Sequence, residues 1–144
     1  FDSTAGSGTW PAGDGADGAI TVSVAKNINT DTLASGRSCA DGGDAVNYSV
    51  TASVAASATS VTLSSTPSSG CLAAGDEVLI INLQGTSGDN ANVGQYETKA
   101  ISSISTATLN FASGLTNGYN GTTQKIMVQR VPNYTNVTVN SGKI

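Results

Sequence analysis

Cys39 and Cys71 are the only thiols in the chain, and there is no histidine. Two cysteines in such a setting point to one disulfide formed in an oxidising compartment. Closing a loop of that length is worth about 3–4 kcal/mol on the chain-entropy account. Two free thiols or a metal pair are the alternatives, and the metal pair lacks further Cys or His to complete a tetrahedral zinc site. Carboxylates supply the second possible chemistry. Asp14 and Asp17 lie in GDGADG, Asp41 and Asp44 in ADGGD, and Asp89 stands beside Asn90 and Asn92. Ca²⁺ takes six to eight oxygens from such loops, so Asp14, Asp17, Asp41 and Asp44 are candidate ligands, jointly if the two turns meet. Their spacing is not that of an EF-hand, and Asp-Gly also makes turns unaided. No other cofactor is implied.

Paired carboxylates also cleave glycosides. Asp76 and Glu77 adjoin at a strand start, so they face opposite sides of a sheet and cannot work as a pair. Glu97 could approach one of them across a ladder. With no histidine and no nucleophile motif, the chain reads as a non-enzyme. Asp76 is expected to cap its turn, and Glu97 to pair with Lys99 or Arg130 on a sheet face. Four N-x-[ST] sequons mark Asn47, Asn120, Asn133 and Asn136 as glycosylation candidates, with Asn120 placed in a turn. Trp10, Tyr48, Tyr96, Tyr119 and Tyr134 could stack on sugar, but they are scattered, and packing in a core or interface is the more ordinary use.

The elements that must hold these residues are strands. Apolar and β-branched residues recur with period two over residues 19–25, 46–54, 59–64, 77–84, 95–104, 107–112, 125–131 and 134–140. Turn clusters such as TPSSG, AAGD and TNGYNG separate them. Val78, Leu79, Ile80 and Ile81 are apolar on both faces, which places that strand at the centre with both faces covered. The expected fold is all-β, an antiparallel β-sandwich or small barrel with strand-like terminal extensions. Residues 1–18 form an N-terminal arm and 19–144 the β-domain.

Composition narrows the setting. The chain has 144 residues, only 11% of them charged, with net charge −4. Hydroxyls and amides must cover the surface. No basic cluster exists to attract nucleic acid, and no apolar run reaches the ~20 residues of a membrane-spanning helix. A start at Phe1 without Met suggests a secreted chain whose signal peptide has been removed.

The blocks AAGDEVLIINLQGT, GQYETKAISSI and QKIMVQRVPNYTNVTVNSG, in that order over roughly residues 59–142, resemble a β-rich module of large secreted prokaryotic surface proteins. The resemblance implies a cell-surface role in structure or adhesion. It also implies that the chain runs on after RVPNYTNVTVNSG into repetitive parallel β-structure. This sequence departs by stopping at Ile144, which leaves its last strand without a neighbour.

Lending a strand between copies would solve that problem. A partner strand satisfies an open edge by β-augmentation, and a head-to-tail contact that does not close makes a fibre. Residues 1–12, anchored by Phe1 and Trp10, are the favoured donor. The alternative donor is residues 136–144, with Val137 and Val139 on one face and Ile144 at the tip. The resulting expectation is a glycosylated subunit of an extracellular pilus-like filament, a homopolymer formed by donor-strand complementation and serving adhesion or biofilm. The rival is a carbohydrate-binding or adhesive module of a larger surface protein. In either case self and glycans are the expected partners.

Overall fold

Period-two alternation becomes strands almost wherever it occurs. The computed structural model describes residues 14–142. In chain order the strands are β1 (Gly18–Val22), β2 (Asn47–Val50), β3 (Ser53–Val54), β4 (Ser60–Thr62), β5 (Glu77–Gln84), β6 (Tyr96–Ser105), β7 (Thr108–Phe111), β8 (Tyr119–Asn120), β9 (Lys125–Val131) and β10 (Tyr134–Val139). No helix occurs among the described residues, so none there is long and apolar enough to cross a membrane. The fold is all-β.

Six strands form one antiparallel sheet in the order β2-β9-β5-β6-β7-β4. The sheet curls so that alternate residues meet on one side. Tyr48 and Val50 of β2, Val61 of β4, Val78 and Ile80 of β5, Ile101 of β6, Leu109 and Phe111 of β7, and Ile126 and Val128 of β9 share one core. Each such aliphatic side chain contributes about 1.5–3 kcal/mol when fully buried. The two edges curl towards each other. Ser64 N–H, just past β4, donates to the Ser49 carbonyl of β2 at 2.8 Å, and the Ser49 hydroxyl donates to that of Ser64 at 2.9 Å. The result is a half-barrel joined at this seam, the barrel branch of the expectation. Closing a seam removes free edge groups.

Strand β5 is central, paired with β6 on one side and β9 on the other. Val78 and Ile80 are fully buried, whereas Leu79 and Ile81 on the other face are only half-buried. The expectation that both faces are covered therefore fails among the described residues. Residues 46–54 also depart from expectation, dividing into β2 and β3. β2 pairs with β9 while β3 pairs with β8, so the chain changes partner at residues 51–52. Gly121 presses against this junction. A Cβ there would stand 2.6 Å from the Ala52 carbonyl oxygen and closer still to that of Val50, so only glycine fits. The YNG segment, read as a turn, begins as β8 for the same reason.

The largest departure concerns the ends. β1 does not extend the sheet. It pairs in parallel with β10, setting Ile20 beside Val137 and Val22 beside Val139. Everything between, including the whole half-barrel, is the crossover of one parallel pair. Parallel strands need a long connection, and alternation alone does not reveal which strands it joins. Asp17 is already buried, so the folded body reaches back at least that far, past the expected boundary at residue 18.

Candidate functional site

The β1–β10 ribbon is the feature that a partner strand could use. Its apolar side carries Ile20, Val22, Val137 and Val139 at matched positions. Ile20 and Val22 are buried, but Val137 is 50% exposed and Val139 51%. The ribbon has only two strands among the described residues, so the far edge of β10 offers unpaired N–H and C=O groups. Of the proposed polymer contacts, Val137 and Val139 lie here. Phe1, Trp10 and Ile144 lie outside the described residues. Residues 136–139, part of the alternative donor, are paired along one edge by their own chain.

An ionic network fixes the foot of this ribbon to the half-barrel. It uses both of the chain's arginines. Arg130, near the end of β9, is 3% exposed. Its Nη2 donates to Asp17 Oδ1 at 2.5 Å and to Asp76 Oδ1 at 3.1 Å, and its Nη1 donates to the Asp44 carbonyl at 3.1 Å. Arg37 grips Asp76 with both Nη atoms, at 2.6 and 3.1 Å, and adds the Gly70 and Cys71 carbonyls. Asp17 Oδ2 accepts the Asn133 N–H at 2.7 Å. Asp44 Oδ2 accepts from Leu33 N, Ala34 N and the Tyr134 hydroxyl. Asp17 and Asn133 immediately precede the two ribbon strands, and Tyr134 opens β10, so the network sets where both begin.

Asp76 caps its turn as expected, accepting Ala73 N–H at 2.7 Å, and is an ion-pair partner as well. Glu97 approaches Lys99 at 3.5 Å and accepts the Thr116 and Asn117 N–H groups at 2.8 and 2.9 Å. Of the four candidate calcium ligands, Asp17 and Asp44 do meet, around Arg130. A guanidinium already occupies the space where their charges would be shared. Asp41 lies apart, accepting from Tyr48 and Ser68, and Asp14 accepts the Ala16 N–H. No group of three or more metal-binding side chains gathers among the described residues.

Burial alone would raise the Asp17 carboxyl. The Arg130 hydrogen bond, the Asn133 N–H and the charges of Arg130 and Arg37 outweigh it and hold Asp17 below the ordinary carboxylate range. A depressed native value means the unfolded chain takes up the proton first. The stability Asp17 contributes is therefore complete above the unfolded value of about 3.9 and is lost as pH falls through the native one. Urea unfolding followed from pH 7 to pH 2 should show the midpoint dropping below about pH 4. Asp17→Asn should start lower and fall less, and parallel curves for the two proteins would refute the assignment.

The tyrosines do not form a platform. Tyr48, Tyr119 and Tyr134 turn their hydroxyls to Asp41, Glu97 and Asp44. Burial and the neighbouring carboxylate raise all three phenols, Tyr119 to about 12. Tyr96 alone of these four stands out from the sheet, 65% exposed. The sequon asparagines divide too. Asn47 and Asn136 are exposed. Asn120 is engaged on both amide atoms, donating to Asp89 at 2.8 Å and accepting from Ser53 and Thr122. Asn133 donates to Glu77 at 3.4 Å.

Cys39 and Cys71 form a disulfide. Sequence reasoning missed Arg37 and the joint role of Asp17, Asp76 and Arg130. The available signal was that both arginines of a chain so poor in charge adjoin features read as structural, a cysteine and a strand end.

No protein-family model matches the chain, and no curated protein matches it. Among solved structures it is similar to three phage tailspikes. The tailspike gp61 of Pseudomonas phage phi297 shares 22% identity over 67% of this chain and 15% of that one, with TM-score 0.46. The Gp54 tailspike of Acinetobacter baumannii bacteriophage AP22, solved in complex with A. baumannii capsular saccharide, shares 15% over 69% and 17%, with TM-score 0.47. The tailspike gp49 of Pseudomonas phage LKA1 shares 21% over 77% and 20%, with TM-score 0.44. The chain thus spans between 15% and 20% of the length of these tailspikes.

Proposed function

We propose that this chain is a structural module of an extracellular surface protein, in which the half-barrel is an insertion between two stacked strands of parallel β-structure. The in-register parallel pairing of β1 with β10 carries this reading. It stacks Ile20 on Val137 and Val22 on Val139, the arrangement that repeats when parallel strands pile up coil upon coil. The β1 half of the apolar side is buried and the β10 half is not, so the stack grows from β10. The next strand satisfies the free edge and covers the two valines, worth about 1 kcal/mol for each half-exposed side chain. A disulfide in a fold of this size fits an oxidising, extracellular setting. Glycans are the natural neighbours of a surface made of hydroxyls and amides.

Strand donation between copies would use the same edge, and assembly state separates the two ideas. By light scattering and electron microscopy the 144-residue chain should be a monomer. Filaments would sink the insertion reading in favour of a homopolymer. Fusing one further strand after Ile144, with apolar residues in register with Val137 and Val139, should raise the unfolding midpoint. Val137→Lys with Val139→Lys should abolish that gain while leaving the unfused chain nearly unchanged. A fusion that adds no stability would also overturn the proposal.

A further inference from the structure

A second apolar surface lies on the opposite side of the core sheet from the buried residues. Antiparallel register puts Met127, Ile81 and Tyr96 in one row across β9, β5 and β6, with Leu79 in the next row and Glu77 at the foot. Leu83, 52% exposed, stands at the far end, and Tyr96 is 65% exposed. These are the outward residues of the most buried strand in the fold. Exposed apolar surface that continues across three strands marks a contact site.

We infer that this face is the docking surface for the chain's own N-terminal arm, residues 1–13, with Trp10 and Phe1 as its anchors. The arm enters at the foot of the face. Asp17 N–H donates to the Asn133 carbonyl at 3.1 Å, and Asn133 Nδ2 donates to Glu77 Oε2 at 3.4 Å. Strand β5 is eight residues long, about 26 Å at the rise of an antiparallel strand. Thirteen residues reach about 43 Å when extended. Trp10 stands four residues before Asp14, a reach of about 13 Å, enough to come to the Leu79 row. Phe1 has length to spare for Leu83. The residues between the anchors, Asp2 to Thr9, are short or polar, and Gly6 and Gly8 let the backbone lie close to a sheet. An arm tethered at the foot of the face meets it at an effective concentration in the millimolar range, which a neighbouring copy's arm matches only in concentrated solution. The arm's two large side chains and the sheet's uncovered ones thus bury each other within one molecule. The ribbon edge of β10 is left free for its own partner.

Trp10 is the only tryptophan, so its fluorescence reports the arm directly. In the full chain its emission should be blue-shifted and shielded from acrylamide, equally at low and high protein concentration. Tyr96→Ser combined with Met127→Thr, both on the outer face, should move the emission to that of a water-exposed indole. A second readout does not depend on those variants folding. Tyr48, Tyr119 and Tyr134 are tied to carboxylates, so nitration with tetranitromethane falls mainly on Tyr96. Trp10→Ser in the full chain should speed that nitration several-fold. A water-exposed Trp10 in the unaltered chain would overturn the proposal, as would equal nitration rates with and without the indole. Shielding that appears only at high concentration would overturn it too, because the arm would then be serving another copy.

Discussion

Arg130→Met is expected to cost about 3–5 kcal/mol, the loss typical when one partner is taken from a buried ion pair. Arg130 Nη2 lies between Asp17 and Asp76, and Nη1 holds the Asp44 carbonyl. Without the guanidinium, two carboxylates that are 4% and 7% exposed face each other across an apolar side chain. Arg37 still grips Asp76 but stands 3.8 Å from Asp17. Domains of this kind hold only about 5–15 kcal/mol in reserve, so the variant should unfold at much lower urea. Arg130→Lys should recover only part of the loss, because one ammonium lacks the planar fork that serves several acceptors at once. Hydrogen exchange adds a spatial test. Because Asp17, Asn133 and Tyr134 sit at the ribbon's foot, β10 amides should exchange faster in the variant than β5 amides at matched global stability. A loss under about 1 kcal/mol, the range of a surface pair, would show that Arg37 alone neutralises the cluster.

Replacing both cysteines should cost about 3–4 kcal/mol, the value for a loop closed over 32 residues. Residues 23–46 contain no strand and would have great freedom once released. Three ties hold them: the disulfide, the Arg37 contacts to Gly70 and Cys71, and the Asp44 carboxylate on Leu33 and Ala34. Gly70 contributes by shape, since at φ +82° its bare Cα lets the Ser38 carbonyl approach where a Cβ would collide. The double Cys→Ala variant is the cleaner test, because Cys71 is fully buried and a serine there would bring an unpaired hydroxyl. Urea unfolding under non-reducing conditions gives the difference directly. Arg37 sits two residues from Cys39 and bonds to Cys71, so adding Arg37→Met should cost less than the two separate effects summed. An unchanged midpoint in the double Cys→Ala variant would mean the hydrogen bonds hold the loop unaided.

Alternation of apolar and polar residues was enough to place the strands, the all-β class and the central position of Val78 and Ile80. Two lone cysteines were enough to suggest their pairing. These are local or nearly exclusive properties: a period of two needs only neighbours, and one pair of thiols allows one intramolecular bridge. The partnership of β1 with β10 was not legible, because alternation tells a strand which face to bury and is silent on which distant strand lies beside it. The half-covered outer face escaped for a related reason, since an apolar run on both sides of a strand does not reveal whether anything covers the second side.

Asp17 looked like a turn residue or a metal ligand, Asp76 like a cap and Arg130 like the end of a strand. Each description is locally reasonable. Their joint role exists only once folding brings Asp17 and Arg130 together across 113 residues of chain. Burial then makes the match of charges compulsory, because a carboxylate removed from water must find a cation or lose its charge. The same holds for the sequons, where Asn120 is bound on both sides and Asn136 is open although the motif is alike. Which surfaces remain for a partner is a property of the whole packed molecule, since exposure is what remains after all distant contacts have formed.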